Sequence, residues 1–309
     1  MDRDLFLQDV LRKPEVLSRL EGHNFKWPDL RGKRIFFVGM GSSHYAAKTI
    51  AHRLQVQGVN AYAMLASVQN LPILGKDDAV IAISASGNSV ETNDFISRVS
   101  APVILLTNNA ELNLDHISEV IYMNATTERG GVACLSYMAT LISLLQLEEQ
   151  LTSNKFPDDA ISKSIHAVQH ILDTQDLWTE KLDDFVSGND GVQFVAPLER
   201  LSSAEQSALM IRECARQKAD ASEVGDWSHV DVYLTKTSDY RLIAFSGSRW
   251  TEQMLEWTTK RNSRVLQIGQ ETPTAELDYP YSDDALVALL SEVTYAEITS
   301  GRLWYHISK

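Results

Sequence analysis

The strongest constraint on the fold is an alternation of short, continuous apolar runs with stretches of helical periodicity. Three such runs are Arg34-Ile-Phe-Phe-Val38, Ala79-Val-Ile-Ala-Ile83 and Pro102-Val-Ile-Leu-Leu106. A strand that is apolar along its whole length is buried on both faces, and strands separated by helices pair in parallel. The sequence therefore predicts an α/β fold in which helices cover both faces of a parallel sheet, as in a flavodoxin-like three-layer sandwich.

The same alternation occurs again in the second half of the chain. Apolar strands are predicted at residues 192–195, 241–245 and 264–268, with helices at 203–218, 249–261 and 284–300. We predict an N-terminal arm and first domain in residues 1–151, a more polar helical connection in 152–189, and a similar second domain in 190–309. A length of 309 residues suits two domains better than one.

Composition limits the class of partner. The formal net charge is -13, which argues against nucleic acid, whose phosphates require a basic surface. A small anion is still possible, because backbone N–H groups and hydroxyls can bind it. No apolar run approaches the roughly 20 residues that cross a membrane. We expect a cytoplasmic protein with no membrane partner, and two distant cysteines, Cys134 and Cys214, fit a reducing compartment. No metal-like ligand spacing occurs, so no metal and no cofactor is expected.

Two turns rich in serine and glycine follow predicted strands of the first domain. They contain Gly41, Ser42 and Ser43 in one turn, and Ser84, Ser86, Gly87 and Ser89 in the other. Ligands of open α/β sheets bind beyond the carboxyl ends of the strands, where helix N-termini favour anions. The turns therefore predict a phosphate site. Ordinary helix capping by serine is the alternative interpretation. A dinucleotide site is a weaker one, because the third glycine of its fingerprint is missing.

Three segments resemble signature turns of the sugar isomerase (SIS) domain family. They are Gly39-Met-Gly-Ser-Ser-His44, Ile83-Ser-Ala-Ser-Gly-Asn-Ser89 and Glu128-Arg-Gly-Gly-Val-Ala133. The likeness covers residues 6–301 and is greatest to the isomerase part of glucosamine-6-phosphate synthases. It implies a protein with two SIS domains and without the glutaminase domain of those enzymes. Ala85 departs from the family pattern, which has glutamine there.

The resemblance also implies which residues of the first domain bind the phosphate of a sugar. In the family this phosphate is held by hydroxyls that match Ser43, Ser84, Ser86 and Ser89. Supporting positions around the same ligand match Gly41, Ser42, Gly87 and Val132.

The second domain aligns with the family's catalytic positions. Glu213 falls on the catalytic glutamate, and His229, sixteen positions later without a gap, falls on the ring-opening histidine. In the family this histidine comes from a neighbouring subunit, so the resemblance implies a homodimer with a shared site. Met210 replaces a family lysine. Lys309 is the candidate to replace the lysine of the family's C-terminal tail, although a solvated terminal residue is the alternative.

The residues themselves leave other roles open. Glu213 follows a predicted capping box, Ser203-Ala-Glu-Gln206, and lies off the apolar stripe of its helix, so it could be a solvated carboxylate. His229 lies in a polar segment, Gly225-Asp-Trp-Ser-His229-Val-Asp231, where an ordinary loop histidine is the alternative.

Three functions follow from these observations. The first is a phosphosugar isomerase, or an amino-sugar-phosphate deaminase or deglycase, that forms an open-chain enediol with Glu213 as base and His229 in ring opening. The second is a phosphosugar-binding sensor without catalysis, suggested by the departures from the family pattern. The third and weakest is a nucleotide-binding α/β protein.

Overall fold

The computed structural model describes residues 1–109, 111, 116–269 and 275–305. The chain forms two compact units. The first unit consists of Val16–Glu128 and Ala133–Asp158. The second unit consists of Met1–Glu15, Arg129–Val132 and the residues from Asp159 onwards. In the described ranges, no helix is long and apolar enough to cross a lipid bilayer.

The first unit contains a parallel sheet whose strand order is β2-β1-β3-β4-β5. Its strands are β1 (Arg34–Gly39), β2 (Ala61–Leu65), β3 (Asp78–Ile83), β4 (Val103–Thr107) and β5 (Ile117–Tyr122). All residues of β3 and β4 are buried, as their continuous apolar sequences predict. The parallel α/β architecture predicted for this half is confirmed.

The helices in the first half of the chain come before, between and after these strands. They are α1 (Arg3–Leu11), α2 (Lys13–Leu20), α3 (Ser42–Val56), α4 (Val90–Arg98) and α5 (Leu135–Leu151). Helix α5 is buried over most of its length because its sequence is apolar on nearly all sides. It begins at Leu135, where the Glu128 carboxylate accepts hydrogen bonds from the N–H groups of Cys134 (2.6 Å) and Ser136 (3.0 Å).

The second unit contains a parallel sheet of the same connectivity, with strand order β10-β9-β8-β6-β7. Its strands are β6 (Val192–Ala196), β7 (Ala219–Glu223), β8 (Arg241–Phe245), β9 (Arg264–Ile268) and β10 (Ala275–Leu277). Its first strand pairs with the second on one side and with the third on the other, as in the first sheet. The predicted repetition of one α/β pattern is therefore confirmed at the level of topology.

Helices of the second half complete the second unit. They are α6 (Ala160–Asp173), α7 (Gln175–Val186), α8 (Leu201–Met210), α9 (Val224–Trp227), α10 (Thr251–Lys260), α11 (Ala285–Ser291) and α12 (Thr294–Arg302). Helices α11 and α12 replace the single helix predicted for residues 284–300.

The helix predicted for residues 203–218 was wrong at both ends. It begins at Leu201, so Ser203 lies inside α8, fully buried, and the predicted capping box does not form. Its last turn, Ile211–Ala215, is π-helical, and Arg216 ends it in the left-handed conformation, with φ 57°. The strand β7 that follows was missed because its sequence, Ala-Asp-Ala-Ser-Glu, contains no apolar run.

Candidate functional site

The two serine-rich turns lie at the carboxyl ends of neighbouring strands. Strands β1 and β3 pair in parallel, with Val38 beside Ala82, so their last residues meet at the same edge of the sheet. This edge is also where the chain leaves β1 towards β2 and returns to β3 on the other side. Such a switch point is the usual ligand crevice of an open α/β sheet.

Gly39 brings the Ser43 side chain against the end of β3. A β-carbon placed on Gly39 would lie 2.9 Å from Ser43 Cβ and 3.2 Å from the Ile83 carbonyl oxygen, so only glycine fits between them. Helix α3 begins at Ser42, one residue after Gly41, whose φ is 50°. The N-terminal turn of α3, with the hydroxyls of Ser42 and Ser43, therefore lies beside the end of β3, and its N–H groups favour an anion there.

The second turn, residues 84–89, is folded tightly around a glycine. Ser84 is buried, and its carbonyl accepts a hydrogen bond of 3.1 Å from the N–H of Gly87, which has φ 71°. The Ser86 side chain is exposed and its Oγ accepts a hydrogen bond from the N–H of Asn88 (3.2 Å). This turn presents hydroxyl and amide groups at the same edge as the start of α3.

Ser89 has the capping role that the alternative interpretation proposed. Its Oγ accepts hydrogen bonds from the N–H (3.3 Å) and the hydroxyl (3.0 Å) of Thr92 and donates to Glu91 (3.2 Å). Capping does not explain Ser42 and Ser43 in the first turn, because the N-cap of α3 is Gly41. We name the edge formed by Gly41–Ser43 and Ser84–Ser89 the hydroxyl cradle.

The sequence interpretation overlooked His44, which follows Ser43 in the first turn of α3. Its Nδ1 is buried and has no hydrogen-bond partner among the described residues. Burial, helped by Lys48, lowers the pKa of the imidazole, against a smaller opposing effect of the Met64 backbone. His44 is therefore a neutral neighbour of the cradle near pH 7. The feature of the sequence that could have pointed to His44 is its position directly after Ser42 and Ser43.

Glu213 lies in the π-helical turn that ends α8, and it is half-buried. Burial raises the pKa of its carboxyl group, and the nearby Arg216 opposes this only in part. The turn is fixed from the other side, since the Cys214 carbonyl accepts a hydrogen bond from the N–H of Tyr305 (2.9 Å). Single π-helical turns occur often at functional sites. The solvated carboxylate of the alternative interpretation does not describe this residue.

His229 is exposed in the turn after α9, where its N–H donates to the Asp226 carbonyl (2.9 Å). The connection that carries it runs from β7 back to β8, whereas α8 runs in the opposite direction, from β6 to β7. Right-handed crossovers in opposite directions lie on opposite faces of a sheet. Glu213 and His229 of one chain are therefore on different faces of the second sheet, and the fold does not bring them together.

The remaining predicted site residues, Val132 and Lys309, are not part of the hydroxyl cradle as the structure describes it. Val132 is buried in the segment Arg129–Val132 of the second unit, two residues after Gly130, whose N–H donates to Asp9 (2.8 Å). Lys309 lies outside the described residues. Within the described part of the chain, no group of three or more His, Cys, Asp or Glu side chains has a geometry that could hold a metal ion.

Comparisons with known proteins bear on the family and on the fold. Residues 31–148 match the family model of the SIS domain. The isomerizing glutamine–fructose-6-phosphate aminotransferase of Sulfolobus acidocaldarius is 27% identical over 226 residues, which cover 71% of this chain and 37% of the relative. The chain spans less than half the length of the curated relatives that it matches.

Two solved structures share the fold of the whole described chain. The C-terminal domain of glucosamine-fructose-6-phosphate aminotransferase from Francisella tularensis superposes with a TM-score of 0.82 at 14% identity, covering 98% of each chain. Glucosamine-6-phosphate deaminase from Thermotoga maritima gives a TM-score of 0.75 at 18% identity, covering 97% of this chain and 93% of its own. The fold predicted from the resemblance is confirmed.

Proposed function

We propose that this chain, whose residues 31–148 match the SIS-domain model, converts a sugar phosphate through an open-chain enediol, as an isomerase or as an amino-sugar-phosphate deaminase or deglycase. The observation that carries the proposal is Glu213, a half-buried carboxylate whose pKa is raised by burial. A base of this kind suits proton transfer at carbon near neutral pH. Relatives named as aminotransferases of fructose 6-phosphate and a neighbour named as a deaminase support the same class.

In the proposed reaction the hydroxyl cradle binds the phosphate. Ser43, Ser84 and Ser86 donate hydroxyl hydrogens to its oxygens, and the N-terminal turns of α3 and α4 add backbone N–H groups. Ser89 contributes once its hydroxyl turns from Glu91 to the ligand.

Glu213 then removes a proton from one of the two carbons C1 and C2 of the opened sugar. The electron pair forms the enediol double bond, and the same carboxyl group returns the proton to the other carbon. In a deaminase or deglycase the first proton abstraction is the same. His229 opens the ring by exchanging protons with the ring oxygen and the anomeric hydroxyl. Because it lies on the other sheet face from Glu213, we propose that a second copy of the chain supplies it.

The proposal is tested by NMR detection of deuterium incorporation at sugar C1 and C2 in D2O. The panel contains hexose, amino-hexose and glycated amino-acid 6-phosphates. We expect exchange with the wild type and with Glu180→Gln, an exposed carboxylate of α7, and at least a 100-fold loss with Glu213→Gln. Full exchange in Glu213→Gln would refute the assigned base.

A non-catalytic phosphosugar sensor is the second candidate. It is favoured by the turn after β6, where Pro197 leads into a 3-10 helix, Leu198–Arg200, in place of the glycine- and serine-rich turn that follows the equivalent strand β1. In the same panel, this candidate predicts saturable binding by calorimetry with no deuterium at C1 or C2. Any turnover that depends on Glu213 would exclude it.

A further inference from the structure

The second sheet has a switch point of its own, between β6 and β8. It is topologically equivalent to the edge between β1 and β3 that carries the hydroxyl cradle. Ligands of open α/β sheets bind at such edges because the helices on either side diverge there and leave a crevice. In the second unit this edge is formed by Arg200, just before α8, and by the turn Ser246–Trp250, just before α10.

Arg200 is a buried guanidinium that uses only part of its hydrogen-bonding capacity within the described residues. Only 6% of the residue is exposed. Its Nε donates to Glu292 (3.0 Å) and its Nη2 donates to the Ser246 carbonyl (2.5 Å). Among the residues that the structure describes, Nη1 has no hydrogen-bond partner. Two fixed nitrogens therefore hold the group rigidly while the third remains available, which is the arrangement that recognises a phosphate or carboxylate.

Gly247 lies directly over this unused nitrogen. A β-carbon on Gly247 would be 3.5 Å from Arg200 Nη1, and the glycine is itself exposed, with φ 96°. A larger side chain at this position would be strained and would cover the guanidinium. The Ser-Gly-Ser turn thus leaves a short path from solvent to Arg200.

The rest of the turn supplies further donors and an aromatic surface. Arg249 and Trp250 are exposed, and the guanidinium carbon of Arg249 lies 4.8 Å from the centre of the Trp250 ring. Trp250 is the N-cap of α10 and makes no side-chain cap, so the first turn of the helix begins at this edge with unused N–H groups, although that of Thr251 already donates to the Ser248 carbonyl (3.2 Å). Several acidic groups adjoin the crevice: Glu292, which balances Arg200, Glu199, whose charge also acts on Arg200, Glu223 beside the Trp250 ring, and Glu252 in the first turn of α10. The attraction for an anion therefore comes from directed donors, namely Arg200 Nη1, Arg249 and the helix N-terminus.

We propose that this crevice is a second anion site, separate from the hydroxyl cradle, which binds a phosphate monoester. Arg200 Nη1, Arg249 and the first N–H groups of α10 hold the phosphate. The indole of Trp250 packs against the ring of the attached group, as aromatic side chains do with sugar rings. A chain with two such sites per copy can bind a sugar phosphate as an effector as well as a substrate.

Calorimetric titration of the full chain with inorganic phosphate and with glucose 6-phosphate tests the proposal. We expect two sites per chain in the wild type and one in Ser84→Ala/Ser86→Ala, which removes two cradle hydroxyls. In that background, Arg200→Met/Glu292→Met should weaken the remaining site at least tenfold. The paired substitution keeps the net charge, and replacing a buried ion pair by apolar residues of similar size is usually tolerated. Arg249→Met at the exposed position should weaken the same site severalfold, whereas Arg264→Met, at the start of β9, should not.

One site in the wild type and none in the cradle variant would overturn the proposal. So would a second site unaffected by both the Arg200→Met/Glu292→Met pair and Arg249→Met. If the cradle variant still binds at two sites, the cradle is misassigned, but loss of one of the two with Arg200→Met/Glu292→Met would still support the second site.

Discussion

Burial of Glu213 gives the proposed base a defined pH dependence. A carboxylate must be ionised to accept a proton from carbon, and burial raises the pKa of Glu213 above that of an ordinary glutamate. The exchange rate at saturating substrate should therefore rise with pH through this raised pKa and reach a plateau at higher pH. Deuterium exchange measured from pH 4 to 8 checks this. A rate that is already constant at the ordinary glutamate pKa would contradict it.

Lys13 and Glu297 form a buried ion pair in the second unit, and this pair links the N-terminal arm to α12. The Lys13 ammonium donates to Glu297 (2.6 Å) and to Thr294 (2.9 Å), and neither charged side chain is more than 2% exposed. Lys13→Met would leave an uncompensated buried carboxylate, at a cost of about 3–5 kcal/mol in the free energy of unfolding.

Lys13→Met/Glu297→Met should recover most of that loss, because no buried charge then remains unpaired. Urea denaturation of the two single variants and the double variant forms a double-mutant cycle that measures the coupling. If the double variant is as unstable as Lys13→Met, packing of the lysine stem, rather than its charge, is what the pair contributes.

The start of α4 separates a structural serine from a ligand-binding one. Ser89 caps the helix, so Ser89→Ala should cost about 1 kcal/mol of stability. Ser86→Ala should cost only a few tenths, since its exposed hydroxyl accepts one hydrogen bond from Asn88. Both variants should bind sugar phosphate more weakly, by about tenfold for each lost charge-assisted hydrogen bond. Thermal unfolding and calorimetric titration of the two variants measure these effects, and unchanged affinity in Ser86→Ala would remove it from the cradle.

The strands that the sequence predicted well are those buried on both faces. In β3 and β8 the apolar runs predict the strand to within one residue, because a fully buried strand has few alternatives. The polar edge strand β7 has no such signal, and its pairing with β6 comes only from the tertiary fold. The π-helical turn at Glu213 could not be predicted from the sequence either. Its form depends on Arg216 adopting a positive φ and on Tyr305 reaching back to Cys214, which no local pattern encodes.

The site residues were predictable to different degrees for similar reasons. The serines of the cradle follow buried strands, so their common edge could be inferred from topology alone. The burial of Glu213 could not be inferred, because Glu213 lies off the apolar stripe of its helix, whereas the turn Ile211–Ala215 as a whole packs against α12. Arg200 gave no signal at all, since a buried arginine is recognised only when its partner, Glu292, is seen 92 residues away.

Across the chain, local donors matter more for ligand binding than the total charge does. A net charge of -13 repels anions at long range, but salt screens this repulsion beyond roughly 8 Å in physiological buffer. Each sheet instead concentrates donors at its switch point: hydroxyls and glycines between β1 and β3, and arginines between β6 and β8. The duplication of one topology thus produced two edges with different chemistry.

A shared active site gives the most decisive prediction for the assembled protein. If a second copy supplies His229, mixing Glu213→Gln chains with His229→Asn chains should restore activity that neither variant has alone. In a mixed dimer, one site carries both defects and the other carries neither. Random mixing makes half of the dimers mixed, so the recovered exchange rate should approach about a quarter of the wild-type value at equal total chain concentration. Native mass spectrometry shows whether mixed dimers have formed. Mixed dimers without recovered exchange would mean that Glu213 and His229 do not act in one site built from two chains.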